Sequence, residues 1–295
     1  MKTKKINISS RDKIFYIIND LFLLIALIVV LYPIIYIISS SFSSPNAVST
    51  GKVVLFPVDF SLEGYKAVFK HDGILTGYAN TIFYTLAGTS VNLIMTVLAA
   101  YPLSRKDLKG RKVITFLFTF TMIFSGGLIP TYLLNSNLSL INTRWVMFLP
   151  TAINIFNFTI AKNFFENNVP EELYEASQLD GCNYFRFITS VVLPLSKSIL
   201  AVLALYYAVV HWNSYFEAFL YLTDESKFPL QIFLREILIL NSTENMDPSV
   251  LAARQGLADL LKYSLIVVSS VPLMVVYPFV AKHFNKGALT GAVKG

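Results

Sequence analysis

The sequence predicts an all-α integral membrane protein of six transmembrane helices with both termini on the cytoplasmic side. Three observations predict it. The chain is 55% apolar and only 14% charged, against roughly 25% charge in a soluble domain, which excludes an ordinary cytosolic enzyme. Apolar runs of about 20 residues, the length that crosses a hydrocarbon layer of roughly 30 Å, recur along the sequence. Basic residues gather in alternate loops, and Lys and Arg near span ends favour the cytoplasm.

The first span, about 15 to 41, follows the basic segment of Lys2, Lys4, Lys5, Arg11 and Lys13, and Pro33 inside it predicts a bend. Its apolar run is too long for a cleaved signal peptide and lacks a small-residue cleavage site, which predicts a retained span. Residues 43–78 carry Pro45, Gly51, Pro57 and Gly64 around an amphipathic LEGYKAVF, a loop with a short surface helix. The second span is about 79 to 103. After it, SRKDLKGRK (Ser104 to Lys112) holds five basic residues in nine, and this loop decides the orientation. With the N-terminus inside, 16 of the 24 basic residues lie on the cytoplasmic side.

The third and fourth spans are about 112 to 135 and 142 to 165. Between and within them, FSGGLIPTYLLNSNLSLINT contains Gly126, Gly127 and Pro130. These mark a broken helix, tolerated at membrane depth where the freed backbone groups are buried in protein or face a wet cavity. Gly126 and Gly127 are therefore candidates for a pathway wall, with a packed kink as the alternative. The fifth and sixth spans are about 198 to 222 and 261 to 284. Between them, FPLQIFLREILIL is too short and too charged to cross, and reads as an amphipathic helix at the outer interface.

The polar segment 170–195, PEELYEASQLDGCNYFRFITSVVLPL, lies between two apolar spans on the cytoplasmic side. Glu175, Ala176 and Leu179 share a helical face, Asp180 adds a carboxylate, and Gly181 can take the left-handed geometry that ends a helix. Helix, tight turn and second helix would form a knob with small residues at its tip, suited to a groove on another protein. The spacing resembles the coupling loop of binding-protein-dependent ABC importers, roughly EAA, three residues, Gly, then a Leu-Pro. Glu175, Ala176 and Ser177 stand at the EAA positions, Gly181 at the glycine and Leu193-Pro194 at the close; Ser177 is a small-for-small departure.

The resemblance extends to FSGGLIPTY, HWNSYFEAFLY, FPLQIFLREIL and the tail YPFVAKHFNKGALTGAVKG. These look like carbohydrate-importer permeases of Gram-positive bacteria, most similar to the second membrane subunit of lipoprotein-associated, rhamnogalacturonan-type oligosaccharide importers. The resemblance implies the six-helix type I ABC importer permease fold, the counterpart of the second membrane subunit of the maltose importer. It implies a cytoplasmic segment 1–14, a permease domain 15–284 and a cytoplasmic tail 285–295 lying against the ATPases, with a disordered end as the alternative for the tail. It also implies partners: a sister permease, two copies of a P-loop ATPase and an extracellular sugar-binding lipoprotein, all at a bacterial plasma membrane. ATP and Mg belong to the partner ATPase, since this chain has no GxxxxGK[ST] loop.

Within the fifth span, His211, Asn213 and Glu217 interrupt an apolar helix, and ionisable groups in a span face the bundle interior or a wet cavity. His211 with Tyr215 and Asn213 with Glu217 are each four residues apart, which on a continuous helix puts them on one side. With Trp212 they could offer hydrogen bonds and aromatic faces to a sugar; alternatively they tie the helix to its neighbours. Arg235 is a possible partner for Glu217. Cys182 is the single cysteine and supports neither a disulfide nor a metal site. An importer of the same fold for another solute, an ion-coupled transporter using Glu217 and His211 as a relay, and a membrane enzyme are the competing readings. Six spans without paired halves argue against the transporter. The scattering of His71, His211 and His283 argues against the enzyme.

Overall fold

A computed structural model describes residues 10–70, 72–240 and 258–278, and every regular element among them is helical. In chain order these are α1 (Ser10–Ser41), α2 (Pro45–Ser49), α3 (Glu63–Lys70), α4 (Asp72–Ser104), α5 (Arg111–Ile123), α6 (Leu128–Asn137) and α7 (Ile155–Asn168). Then come α8 (Glu171–Leu179), α9 (Tyr184–Phe187), α10 (Leu193–Leu195), α11 (Lys197–Trp212), α12 (Phe216–Tyr221), α13 (Leu230–Leu240) and α14 (Ala258–Pro278). Residues 1–9 of the segment expected to be cytoplasmic, His71, His283 and the whole 285–295 tail lie outside the described residues.

Three helices are long and apolar enough to cross a membrane, Asp12–Ser41, Gly73–Ser104 and Ala258–Pro278, and the number rises to five if each of two bent pairs is one span. One bent pair is α5 with α6, turned by 116° at the break that Gly126 and Gly127 occupy, as the sequence predicts. The predicted fourth span is different. Residues 142–165 are not one helix: a 3-10 turn at Arg144–Met147 and an irregular stretch precede α7. Asn142 sits at φ 55°. Its backbone N–H donates to the Tyr221 carbonyl and its side-chain oxygen accepts from the N–H groups of Thr223 and Asp224. Pro150 then bars a continuous helix. Asn154 restarts it by accepting the Asn157 N–H at 3.1 Å, an N-cap.

The described residues divide into two units, one drawn from Met1–Lys70 with Ile237–Ser269, the other from His71–Glu236 with Ser270–Gly295. In the first, Ala47, Val48 and Val53 bury against Leu260 beside Tyr36 and Tyr263. Ser39 Oγ donates to the Leu55 carbonyl and Ser41 Oγ meets the Tyr65 hydroxyl at 2.8 Å. The apolar face of α1 from Ile14 to Leu31 stays exposed, a surface suited to lipid or another subunit.

The second unit is organised around α4, which packs mainly against α11 and α7. Its 33 residues make a rod of about 50 Å. At its C-terminal end Val97, Ala100, Tyr101 and Leu103 pack with Phe158, Phe165, Tyr174, Phe187 and Leu203. Near its start Tyr84 packs with Val146, Met147, Phe148, Ala218 and Tyr221. Asn80 and Tyr84 there donate to the carbonyls of Ser226, Phe228 and Lys227.

Candidate functional site

The predicted knob is a helix, a turn and a second helix at the C-terminal end of α4. Pro170 precedes α8 in extended geometry and Glu171 and Glu172 occupy its first turn, where carboxylates suit the helix dipole. The helix ends at Gly181, whose φ is 71°. There the Cys182 N–H donates to the Ser177 carbonyl at 2.9 Å and the Gly181 N–H to the Gln178 carbonyl at 3.0 Å. This pair of bonds is a Schellman closure, which needs a left-handed residue at this position. Asn183 then caps α9 by accepting the Arg186 N–H.

Exposure separates two faces of α8. Glu175, Ala176, Asp180 and Gly181 are exposed and Leu179 is 91% exposed, whereas Tyr174 is buried and Ser177 half-buried. Ser177 Oγ donates back to the Tyr174 carbonyl at 2.7 Å, so a hydroxyl costs nothing at this small-residue position. Leu193 packs on the core while Pro194 is exposed. Pro194 has no N–H for the carbonyl four residues back, and the turn before it, Ile188–Val192, widens to a π-helix. The chain then bends by 84° into α11.

A latch under α8 was not recognised in the sequence. The Arg105 guanidinium lies 3.9 Å from the centre of the Tyr174 ring, donates to both Asp107 oxygens at 2.8 and 2.9 Å and reaches Glu171 at 3.7 Å. Tyr174 also stacks on Tyr184 at 5.1 Å and meets Phe187 edge-on. Its hydroxyl accepts from Gln178 Nε2 at 2.8 Å. Hydrogen bonds from Arg105 hold the Asp107 carboxyl below its usual range. Burial pushes the Tyr174 phenol up to about 12, so it stays neutral. Beside the latch, a recess of about 260 Å³ is lined by Tyr101, Arg105, Glu166, Pro170, Glu171 and Glu172. The run SRKDLKGRK reads in sequence as an orientation signal, and nothing in its spacing reveals that Arg105 reaches Tyr174, 69 positions on.

The second candidate cluster is not brought together as predicted. Helix α11 ends at Trp212 and α12 begins at Phe216, so the intervals His211–Tyr215 and Asn213–Glu217 span a break and not one helical face. His211 is 3% exposed and Trp212 5% exposed, while Asn213 is exposed and Tyr215 and Glu217 are half-buried. His211 Nε2 bonds Asn92 Oδ1, and Asn92 Nδ2 donates to the Thr151 carbonyl at 2.7 Å. The Asn92 orientation therefore makes Nε2 the donor. Gly88 permits the contact: a Cβ there would lie 2.5 to 2.8 Å from the His211 ring. One step along, Thr96 Oγ1 meets the Tyr207 hydroxyl at 2.7 Å. Trp212 meets Tyr78 edge-on at 5.8 Å, and Asn213 Nδ2 donates to the Val209 carbonyl. Arg235 forms no ion pair with Glu217; its guanidinium lies over Tyr215 and Phe219 instead. Gly126 and Gly127 are exposed.

No protein-family model matches the chain. It is 42% identical over 286 residues, 97% of its own length and 100% of the other, to the polygalacturonan/rhamnogalacturonan transport system permease protein YtcP of Bacillus subtilis. Protein LplC of the same organism is 41% identical over 96% of each chain. Among solved structures, a chain from a bacterial ABC transporter involved in the import of the acidic polysaccharide alginate matches with a TM-score of 0.87 at 37% identity, covering 95% of this chain and 100% of that one.

The chain belongs to the carbohydrate-type permease subunits of ABC importers. It is a non-catalytic, membrane-associated helical subunit of a sugar importer. In this permease the residues that sequence reasoning missed, Arg105, Tyr174, Asn92 and Gly88, all act by contact with distant parts of the chain. Gly88 and Asn92, four residues apart in α4, are one small and one polar position on a helix face, the pattern of close helix packing in membranes.

Proposed function

We propose that this permease forms half of an oligosaccharide pathway and receives the ATPase stroke through segment 170–195. It has six spans with both termini in the cytoplasm, and pairs with a sister permease, two P-loop ATPase copies and an extracellular sugar-binding lipoprotein in a Gram-positive plasma membrane. The observation that carries this reading is the exposed tip of α8. A helix clamped from below by Arg105 and Tyr174 presents Glu175, Ala176, Leu179, Asp180 and Gly181 with no partner among the described residues. Ala176, Ser177 and Gly181 permit close backbone approach, and the carboxylates can pair with basic groups of an ATPase. ATP-driven closure would pull this knob, and α4 and α11 would carry the displacement to the far end. His211 and Trp212 serve this as packing between those helices, while Asn213, Tyr215, Glu217, Gly126 and Gly127 remain available to the pathway or gate.

The test is a cross-link. Leu179→Cys in a Cys182→Ser background, oxidised in native membranes with cysteines placed along the ATPase groove, should yield a permease–ATPase adduct that responds to ATP. A chain that purifies without an ATPase and yields no adduct would reject the coupling role.

A further inference from the structure

We propose that the groove between α7, α11 and α14 is a sugar-contact site of this permease, in which the side-chain amide of Asn157 bonds two neighbouring ring hydroxyls of the passing oligosaccharide. The inference rests on the importer reading above and adds a direct contact between this subunit and its cargo.

The groove holds about 530 Å³, and its lining includes Asn154, Phe156, Asn157, Tyr206, Val209 and Tyr277. Most of that lining is apolar. Asn157 is the buried exception at 5% exposed. Its backbone N–H donates to Asn154 Oδ1 at 3.1 Å, whereas its side-chain amide has no hydrogen bond among the described residues. A buried amide left unpaired is costly, so the group calls for a partner from outside the chain. A carboxamide carries an acceptor oxygen beside N–H donors, which matches two adjacent hydroxyls, one donating and one accepting. A lipid tail offers neither. The exposed rings of Phe156 at 54% and Tyr277 at 60% share the lining and suit the C–H face of a pyranose. Among the described residues no Lys or Arg lines the groove, so it reads hydroxyls and not charge.

Position and backbone point to water at this groove. Asn157 lies 13 positions before Pro170, and Tyr206 lies nine after Lys197. On helices these are about 20 and 14 Å from the α8 end, near the middle of a hydrocarbon layer of roughly 30 Å. Yet the chain leading into α7 is irregular there, with Leu149, Pro150, Thr151 and Asn154 exposed. Irregular backbone at membrane depth is tolerated where protein covers it or where it lines a wet cavity. The Tyr207 hydroxyl, which meets Thr96 Oγ1 at 2.7 Å, accepts the Asn154 N–H at 3.4 Å. The start of α7 is thereby fixed to α11 and α4 before any sugar arrives.

Two measurements on the complete importer test the proposal. The first needs no cargo: Val209→Cys in a Cys182→Ser background is treated in membranes with a charged methanethiosulfonate, which reacts with thiols that meet water. Val209→Cys should be labelled, and Leu24→Cys on the exposed apolar face of α1 should not. An unlabelled Val209→Cys would overturn the proposal, because lipid or the sister permease would then fill the groove. The second is uptake into proteoliposomes of whichever of trigalacturonic acid, maltotriose and raffinose wild type imports fastest, compared with its acetylated form, which keeps the rings and loses the hydroxyl donors. Wild type should take the free sugar with a KM roughly tenfold lower, the scale of a lost hydrogen bond. Asn157→Leu, similar in size and unable to hydrogen-bond, should bring the two KM values within about twofold by raising that of the free sugar, with maximal uptake and melting temperature nearly unchanged. A KM ratio that survives Asn157→Leu would overturn the hydroxyl contact, and a lower melting temperature with KM unchanged would make Asn157 a packing residue. A wild-type complex that purifies without an ATPase would instead reject the importer reading itself.

Discussion

The two ends of α4 brace their charges differently. At the α8 end three cations are paired: Arg105 binds Asp107 and leans on Glu171, while Arg111 and Lys162 converge on Glu166 at 3.2 and 2.9 Å; Lys106, Lys109 and Lys112 of the same loop take no part in these ion pairs. At the other end Lys227 is paired with Asp224, while Arg235 rests on the rings of Tyr215 and Phe219 and forms no ion pair among the described residues. The backbone differs likewise. Residues 171–212 form helices joined by a tight Schellman turn and a proline-associated π-turn, whereas α11 simply stops at Asn213 and restarts three residues later at Phe216. On the proposed coupling role, a surface that receives a stroke must not yield, and a cross-braced base with a bare tip suits that. Between the two ends, His211–Asn92–Thr151 and Thr96–Tyr207 bind α11 to α4 and to the segment before α7.

The sharpest way to break this contrast is Gly181→Val. A β-branched residue at φ 71° carries a left-handed penalty of about 1–2 kcal/mol, although the space beside Gly181 is open. Relief requires opening the Schellman turn and tilting α8. The variant should reach the membrane and bind the ATPase, yet uptake should fall to background while ATP hydrolysis continues; measured uptake near wild type would mean that the turn is not part of the stroke. Arg105→Ala comes next. Removing the latch leaves Tyr174 stacked but frees the base of α8, and uptake per ATP hydrolysed should drop roughly tenfold, equivalent to about 1.4 kcal/mol of misdirected stroke. Arg105→Lys keeps the charge without the planar fork and should recover only part of the ratio. Full recovery by Lys would reduce the latch to simple charge neutralisation.

Gly88→Ala tests the middle of the molecule. The added methyl meets the buried His211 ring, and overpacking of this kind costs about 1–3 kcal/mol. The detergent-solubilised complex should melt at lower temperature with the uptake-to-hydrolysis ratio unchanged, and Gly88→Ala combined with His211→Ala should recover stability. Failure of that rescue would show that His211 contributes more than packing.

What was legible in the sequence follows from the range of the physics involved. The Gly181 turn, the break at Gly126-Gly127 and the short helices α3 and α13 depend on residues a few positions apart. Apolar runs correctly marked α1, α4 and α14 as long enough to span. They misled at 142–165, where hydropathy is blind to Asn142 forming backbone bonds with 221–224. They misled again at 211–217, where spacing assumed a continuous helix. Arg105 over Tyr174 and Arg235 over Tyr215 were invisible for one reason. A guanidinium finds a ring through tertiary packing, and neither spacing nor charge count encodes that.

The smallest effect concerns how the Arg235 end is fastened to α4. The turn Glu225–Lys227 is capped by Asp224, which accepts from Ser226 N and Oγ at 3.0 and 2.7 Å and from Lys227 Nζ. These bonds, led by that from the Ser226 hydroxyl, lower the Asp224 pKa to about 2, against roughly 3.9 in an unfolded chain. A depressed carboxylate stabilises the folded state above its unfolded value, and that contribution fades as pH falls from about 4 through about 2. Asp224→Asn keeps an acceptor and loses the charge, so wild type should melt slightly above the variant at pH 5 to 7, and the gap should close between pH 4 and 2. Asn80, Tyr84 and Thr81 hold the neighbouring backbone with neutral hydrogen bonds that do not titrate in this window. A gap that stays constant to pH 2 would therefore assign the fastening to those neutral bonds and to the Asp224 side chain as a plain acceptor. A gap that closes would show that this end of α4 also keeps a charged clamp, placed on the turn that leads into α13.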